Sequence, residues 1–197
     1  MEARKCIAVN KTRRMTIIGM LGAISALLGF TPLGFIPLGP FNVTTMHIPV
    51  IIGAIVEGPF VGAMVGLIFG VSSLIKSFMT PTPISFIFMN PMVSIIPRIM
   101  IGVLTYYFFV SASKLIKNEK TVLLLSGAFG TMVNTVLVLG SAYILYAQKI
   151  VSSMGLPDGG AGAFLLGIAT ANGVPEMCVA ALVTAASVTA LRKIIKN

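Results

Sequence analysis

The sequence predicts an all-α membrane protein with six transmembrane helices and both termini in the cytoplasm. Of its 197 residues, 56% are hydrophobic and 10% are charged, whereas soluble domains carry about 25% charged residues. Apolar stretches of roughly 17 to 25 residues recur without the alternation of a β-barrel, so the spans are helical. We expect a six-helix substrate-binding domain at 15–191 between a basic N-terminal segment, 1–14, and a basic tail, 192–197.

The basic residues predict how the chain is oriented. The net charge is +9, and most of the 14 Lys and Arg residues fall in three clusters, at 4–14, 114–120 and 192–196. These clusters flank apolar stretches, as expected of cytoplasmic segments. The excess of positive charge therefore indicates membrane topology and not nucleic-acid binding. The two cysteines form no disulfide or metal pattern.

The hydrophobic segments give the predicted element order. Helices are expected at 15–30, 47–56, 59–75, 90–110, 122–146 and 161–191, the fourth bent by Pro97 and the last broken near Gly173 to Pro175. The connections 31–45, 76–90 and 148–160 are placed outside. The second helix is too short to cross roughly 30 Å of hydrocarbon at about 1.5 Å per residue. It is extended by its flanks, tilted into a thinned region, or part of a re-entrant hairpin with the third.

Small residues recur at helical spacing in two of these helices. Glycines at 58, 62, 66 and 70 form a stripe along the third helix, where a neighbouring backbone can approach closely. The first helix carries two small-residue pairs, Gly19 with Ala23 and Gly22 with Ala26. Those pairs predict a docking face, either for another helix of this chain or for a partner subunit.

Four costly polar residues lie inside the predicted spans, and such residues face the bundle interior or a wet cavity. They are Arg98, Asn134, Asn172 and Glu176. Asn172 and Glu176 share a helix face beside Pro175, where a broken helix would suit a ligand site. Arg98 and Glu176 could neutralise one another. Alternatively Arg98, or Lys76 at the mouth, meets a ligand carboxylate.

Further candidates lie at the predicted helix starts, and each has a structural alternative. Thr44 and Thr45 could cap a helix, His47 could sit at the helix entry, and Asn90 precedes a proline at a helix start. His47 has no second metal ligand at suitable spacing, so no metal site is expected. The candidate substrate-binding residues are therefore Thr44, Thr45, His47, Lys76, Asn90, Arg98, Asn134, Asn172 and Glu176.

The motifs that the sequence lacks limit the functional classes to which the protein can belong. It shows no nucleophile and base constellation, no glycine-rich phosphate loop and no series of intramembrane carboxylates, so we predict no catalysis and no cofactor. A substrate-binding subunit is the favoured class. A competing class is an autonomous proton-coupled secondary transporter, in which Glu176 would be the proton site.

Three motifs in order resemble one known family. They are the Arg13 to Met15 stretch leading into Gly19 to Ala23, the stretch from Ile48 that ends at Glu57 to Pro59, and Met89 to Pro91. The chain resembles, over essentially its whole length, the substrate-binding S components of energy-coupling factor (ECF) vitamin transporters. The branch that it resembles most includes riboflavin and pantothenate binders.

The resemblance implies partners and a place for the ligand. S components of this family work with a membrane-embedded T component and two cytoplasmic ATPases, which use the ATP, in a prokaryotic cell membrane. The docking small residues map to Gly19 and Ala23. The vitamin would lie near the outer face, beneath the loops 31–45 and 76–90, and the S component would topple in the membrane to release it.

The resemblance also bears on the ligand. Riboflavin binders usually carry an acidic entry to the second helix, where this chain has Thr44 to His47. The chain has no Trp, and stacking on aromatic faces is a usual way to hold a flat ring. We therefore expect a smaller, more flexible acid, pantothenate first and riboflavin as the alternative, with Arg98 or Lys76 near its carboxylate.

Overall fold

A computed structural model describes residues 11–31, 34–38, 41–80, 85–155, 157 and 159–196. Residues 1–10 of the predicted N-terminal segment and residue 197 of the predicted tail lie outside this part. The elements, in chain order, are α1 (Lys11–Phe30), β1 (Phe35–Leu38), β2 (Phe41–Thr44), α2 (Ile48–Glu57), α3 (Pro59–Met79), α4 (Ser85–Phe88), α5 (Pro91–Ser94), α6 (Ile96–Leu115), α7 (Glu119–Met154) and α8 (Gly160–Lys196).

The long helices pack in a bundle in which α1 runs parallel to α3, as Gly22 faces Ile68 and Gly29 faces Ser72. Gly62 of α3 faces Gly102 of α6, and Gly70 faces Ser94, so these helices are antiparallel. The helices α7 and α8 are also antiparallel, as Gly127 faces Ala180 and Thr135 faces Gly173. Among the described residues five segments are long and apolar enough to span a membrane: α1, α3, α5 with α6, α7 and α8. The prediction of a helical, multi-pass membrane protein is confirmed for these five segments.

The remaining predicted helix, the second in the chain, is α2, a short element inside the bundle. It has ten residues, of which eight are buried, and it packs against α1, α3, α6, α7 and α8. Val50, Ile51 and Ala54 are 0% exposed. Because other helices surround α2, its apolar side chains are buried by protein without a need for spanning length.

The segment between α1 and α2 contains a two-stranded antiparallel hairpin. Its register pairs Phe35 with Thr44 and Leu38 with Phe41. The sequence predicted an irregular loop here, because prolines and glycines exclude a helix. They are compatible with two short strands, however, since Pro is tolerated on edge strands.

Several predicted helix limits differ from the structure, and the loop predicted at 76–90 contains the end of α3 and the short helix α4. The predicted end of the fifth helix, Tyr146, coincides with a kink in α7, where that residue has non-helical dihedral angles (φ −134°, ψ 16°). The helix resumes beyond the kink and ends at Gly155, whose φ of 62° is the left-handed conformation that closes a helix, so the loop predicted at 148–160 begins later. The helix α8 runs through Pro175 without the predicted break. The predicted fourth helix is interrupted between α5 and α6 at Ile95, two residues before Pro97.

The glycine stripe of α3 allows α6 to approach at backbone distance. A methyl group placed on Gly70 would lie 2.8 Å from the carbonyl oxygen of Ser94, and one on Gly66 would overlap the carbonyl group of Arg98. A methyl group on Gly62 would lie 3.0 Å from the Cα of Gly102. The predicted close packing is therefore confirmed for Gly62, Gly66 and Gly70, whereas Gly58 lies in the turn before α3, where an added methyl group would meet nothing within 4 Å.

Two ion pairs lie at the end of the bundle where α1 and α3 begin and α8 ends. Arg13 donates to Glu57 at 2.9 Å, and the Glu57 side chain is 2% exposed. This pair ties α1 to the turn between α2 and α3. Arg192 of α8 pairs with Glu119 at the start of α7, on the surface.

Gly66→Ala should destabilise the protein, because its methyl group has no room beside the Arg98 carbonyl. Overpacking of this kind costs about 1–3 kcal/mol, so the melting temperature of the detergent-purified protein should fall. Gly140→Ala on α7 is the matched control, since a methyl group there meets nothing within 4 Å. Equal melting temperatures for the two variants would contradict the proposed contact.

Candidate functional site

A cavity of about 450 Å³ lies between the C-terminal half of α3, the start of α6, and α7 and α8, with Thr44 at the end of β2 in its wall. It lies toward the end of the bundle opposite the Arg13–Glu57 pair, next to the hairpin and α4. Its polar lining residues are Thr44, Ser72, Ser73, Lys76, Ser77, Thr80, Ser85, Arg98, Asn134, Thr135, Asn172 and Glu176. Six of the nine predicted candidates are thus brought to one place.

The position of Arg98 follows from the proline before it. Pro97 has no N–H, so the carbonyl oxygen of Val93, four residues earlier, lacks its helical donor. The Arg98 Nη1 donates to that oxygen. The side chain therefore turns back along its own helix and satisfies an acceptor that would otherwise be unpaired.

Aromatic rings hold the guanidinium of Arg98 on the cavity wall. Its central carbon lies 5.5 Å from the ring centroid of Phe69 and 5.4 Å from that of Phe88, within the range of cation–π attraction. Arg98 is 5% exposed, and its Nε is buried without a hydrogen-bond partner among the described residues. The side chain is thus fixed in place with part of its donor capacity unused.

Glu176 is bonded to the hairpin and not to Arg98. Its Oε1 accepts from the backbone N–H of Thr44 at 2.8 Å and from the Thr44 hydroxyl at 2.7 Å. The ion pairs Arg13–Glu57 and Arg192–Glu119 described above involve neither residue. Direct Arg98–Glu176 pairing, one of the two alternatives left open by the sequence, is therefore not seen.

Lys76 lies on the α3 side of the cavity. Its Nζ donates to the carbonyl oxygen of Gly29 at 2.6 Å. Gly29 belongs to the last turn of α1, where carbonyl groups have no donor within the helix. Lys76 therefore ties the ends of α1 and α3 together and also lines the cavity.

Two asparagines line the cavity from α7 and α8. The Oδ1 of Asn134 is buried without a hydrogen-bond partner among the described residues. Asn172 follows Ala171, whose carbonyl oxygen has no helical donor because residue 175 is Pro. Asn134 therefore presents to the cavity a hydrogen-bonding group that no described residue engages.

The other three predicted candidates lie outside the cavity lining. Thr45 is bonded through its N–H to the Gly34 carbonyl oxygen at 3.0 Å, at the base of the hairpin. His47 is fully buried, with its Nε2 2.9 Å from the Thr131 hydroxyl. The side chain of Asn90 caps α5 and donates to the Tyr146 hydroxyl at 3.0 Å. The Asn90 cap matches its structural alternative, and His47 lies at the start of α2. The capping considered for Thr45 is not seen, because the start of α2 has no side-chain hydrogen bond.

Sequence reasoning missed the small hydroxyl residues of the cavity wall. Ser72, Ser73 and Ser77 of α3 and Thr135 of α7 line it. Their clustering in the last turns of an apolar helix was the available signal. Single serines and threonines are common in membrane helices because they can bond to their own backbone, as Ser72 does with Ile68 at 2.9 Å. That alternative weakens the signal.

The predicted docking residues of α1 divide between two faces. Gly22 packs against Ile68 of α3, and Ala26 is half-buried. Gly19 and Ala23 are exposed, and a methyl group on Gly19 would meet nothing within 4 Å. One small-residue pair therefore serves packing within this chain, and the other stays uncovered beside exposed Met20 and Leu27.

The described residues contain no group of three or more His, Cys, Asp and Glu side chains placed to hold a metal ion.

Comparison with known proteins decides the family. Residues 13–188 match the family model for the substrate-specific component of ECF transporters. This chain belongs to that family. The S component is also similar to the pantothenic acid transporter PanT of Lactococcus lactis subsp. cremoris, at 31% identity over 205 residues, covering 95% of this chain and 98% of that protein.

A second relative is similar over most of the chain as well. The pantothenate transporter PanT of Leuconostoc mesenteroides subsp. mesenteroides is 31% identical over 188 residues, covering 90% of this chain and 91% of that protein. The family and both relatives are transporters and not enzymes. The predicted function, the substrate-specific subunit of an ECF vitamin transporter, is confirmed by the family match.

Proposed function

We propose that this S component binds pantothenate in the cavity, with the ligand carboxylate directed toward Arg98. The observation that carries the proposal is the balance of charge in the wall. Arg98 and Lys76 are both lining residues, whereas the carboxylate oxygen of Glu176 is already engaged by Thr44. A site with this balance favours an anion, and guanidinium holds a carboxylate well. The names of the two relatives support the same ligand.

The remainder of the wall suits the rest of that molecule. Pantothenate has a secondary amide, two hydroxyl groups and a dimethyl carbon besides its carboxylate. Asn134, Asn172 and Thr135 can exchange hydrogen bonds with the amide and hydroxyls. Val138 and Leu139 supply apolar contact for the methyl groups. The cavity, about 450 Å³, falls within the usual range of small-molecule sites.

A flat ring system fits the same wall less well. The two phenylalanines of the lining, Phe69 and Phe88, both lie beside the guanidinium of Arg98. One face of each ring is therefore engaged by a protein cation, which leaves less aromatic surface for stacking on an isoalloxazine ring. This arrangement supports pantothenate over riboflavin.

We further propose the assembly that the family implies. The S component would act in the plasma membrane of a prokaryote with a membrane-embedded T component and two cytoplasmic ATPases, which hydrolyse the ATP. Both termini would face the cytoplasm, as the basic residues near α6 and α8 suggest. The exposed face of α1 around Gly19 and Ala23 would contact the T component through close helix packing.

Arg98→Gln should weaken pantothenate binding about ten- to hundredfold, the range set by the loss of one hydrogen bond between charged groups. The dissociation constant is measured by calorimetry on the purified protein. Pantothenol, in which a hydroxymethyl group replaces the carboxylate, provides the matched ligand. We expect the wild type to prefer pantothenate strongly and Arg98→Gln to bind the two compounds with similar affinity.

The outcome with pantothenol separates the possible roles of Arg98. If the variant loses affinity for both compounds to the same extent, Arg98 shapes the cavity but does not contact the carboxylate. If the wild type binds neither compound, while another vitamin raises its melting temperature, the choice of pantothenate is wrong.

Gly19→Leu should reduce co-purification with the T component and the ATPases at least about tenfold, because a large side chain prevents close helix approach. Pantothenate affinity should not change, since Gly19 is exposed and lies outside the cavity lining. Gly167→Leu on α8 is the control: this glycine is also exposed, with nothing within 4 Å of an added methyl group.

Two results would contradict the assembly. One is equal co-purification of both leucine variants with the partner subunits. The other is pantothenate uptake into liposomes by the isolated S component, driven by a proton gradient without ATPases, which would indicate a secondary transporter.

A further inference from the structure

We propose that a groove on the outer surface of the bundle, between α5–α6 and α7, binds one acyl chain of an anionic phospholipid, with the lipid phosphate against Lys149 at the end of the groove. This groove shares no lining residue with the cavity described above. The lipid site is therefore independent of which compound the cavity binds.

The groove has the length of a large part of an acyl chain. Its volume is about 290 Å³. The residues that form its two walls include Met92, Ile96 and Met100 on one side and Leu137, Ile144 and Leu145 on the other. The α7 wall, from 137 to 145, extends about 12 Å at 1.5 Å per residue, and an acyl chain crosses about 15 Å of hydrocarbon in one leaflet.

The lining of the groove calls for an apolar occupant. Among the described residues that line it, Ser141 is the polar one, and its hydroxyl donates to the carbonyl oxygen of Val138 at 3.0 Å. This bond lies within α7 and satisfies the hydroxyl without help from an occupant. On the open side, Ile144 is 81% exposed and Met92 is 60% exposed.

The side chains of the groove favour a single flexible chain over a partner helix. Helices in membranes approach one another through small residues, and a helix with its side chains is about 10 Å wide. Here large side chains stand along both edges, among them Met92, Ile96 and Ile144. Methionine adapts its shape to irregular apolar surfaces, so walls with Met92 and Met100 can close around an acyl chain.

A cation lies at the end of the groove. Lys149 is exposed and follows Leu145 by four residues on α7. Its Nζ lies 4.5 Å from the ring centroid of Phe86, and the two ion pairs found among the described residues do not include it. The ammonium group is thus held over a ring by cation–π attraction, with its charge available to an anion.

A hydroxyl group lies beside this cation. The ring of Phe86 is 5.6 Å from that of Tyr146, and the Tyr146 hydroxyl accepts from Asn90 at 3.0 Å, which leaves its own O–H to donate. Asn90 also accepts from the N–H of Met92, a groove residue. An ammonium group and a hydroxyl donor at the end of an apolar groove match the phosphate and the chain of an anionic phospholipid.

The position of the groove gives the lipid a structural effect. Pro97 lines the groove, and the next residue, Arg98, lines the cavity. The helical segment that carries both is interrupted at Ile95. An acyl chain in the groove therefore packs against the back of the cavity wall, and it should raise the melting temperature of the protein.

The charge at Lys149 is tested by native mass spectrometry of the purified full chain. The probes are palmitoyl-oleoyl phosphatidylglycerol and the phosphatidylcholine with the same acyl chains. We expect the wild type to prefer phosphatidylglycerol about fivefold at its first lipid site, the effect of one lysine near an anionic headgroup. Lys149→Gln should lose this preference. Lys117→Gln, the same change at an exposed lysine between α6 and α7, should keep it.

The acyl chain is tested by filling the groove. Ser141→Phe places a ring between its walls and should weaken first-site binding of both lipids at least about fivefold. Val136→Phe is the matched control, because Val136 lies on the same helix, is 61% exposed and lines neither the groove nor the cavity. A phosphatidylglycerol with a photoreactive group in its acyl chain then locates the site, and we expect its cross-links to concentrate in 92–100 and 137–145.

Each outcome decides the proposal. Cross-links concentrated in the groove, with a preference for phosphatidylglycerol that Lys149→Gln removes, support it. Cross-links spread evenly over the exposed faces of α1, α3 and α8, or a preference unchanged in Lys149→Gln, overturn it. A dimer of this chain that Ser141→Phe abolishes would assign the groove to a second copy and also overturn it. If Ser141→Phe does not fold, the wild-type cross-links and Lys149→Gln still decide.

Discussion

The arrangement of the cavity depends on how one arginine is accommodated inside a membrane helix. A guanidinium at this depth is costly unless it is hydrogen-bonded and faces protein or water. Pro97 frees the carbonyl oxygen of Val93, Arg98 donates to it, and the rings of Phe69 and Phe88 lie against the charge. The same proline that interrupts the helical hydrogen bonding thus provides the acceptor that fixes the arginine.

The packing of α3 against α6 places Arg98 in the wall of the cavity. Gly66 lies against the backbone carbonyl of Arg98 itself, and Gly62 and Gly70 make further close contacts one turn away on either side. A helix without these glycines would stand farther from α6, and Phe69 would not reach the guanidinium. The glycine stripe and the charged cavity wall are therefore two parts of one arrangement.

The charged residues of the cavity wall differ in their hydrogen-bond partners. Glu176 is held by Thr44 of the hairpin, whereas Arg98 retains a buried Nε without a partner among the described residues. The wall as a whole carries two cations, Arg98 and Lys76, against the carboxylate of Glu176. This surplus of positive charge is the physical basis for proposing an acidic ligand.

Some features of the fold could be predicted from local sequence patterns and others could not, and the difference has a physical reason. Local patterns predicted the glycine stripe and the Asn90 cap, because each depends on a few neighbouring residues. The route of the chain around Pro175 was predicted wrongly. A proline removes one hydrogen bond of a long membrane helix, and α8 tolerates that loss beside the polar cavity, where Asn172 and Glu176 lie.

Contacts between distant residues could not be predicted from the sequence. Six of nine candidate residues meet at one cavity, since polar groups in apolar spans must find a common wet or protein-lined place. The sequence could not show that Glu176 bonds Thr44 and not Arg98, because that choice depends on where the hairpin lies. The extension of α7 past Gln148 was hidden in the same way, since Ile150 is buried against neighbouring elements.

The most direct test of this account is an experimental structure of the purified S component with pantothenate bound. The account predicts ligand density in the cavity between α3, α6, α7 and α8, with the carboxylate at hydrogen-bonding distance from the Arg98 guanidinium. A ligand lying elsewhere, or one in the cavity with its carboxylate directed away from both Arg98 and Lys76, would contradict it.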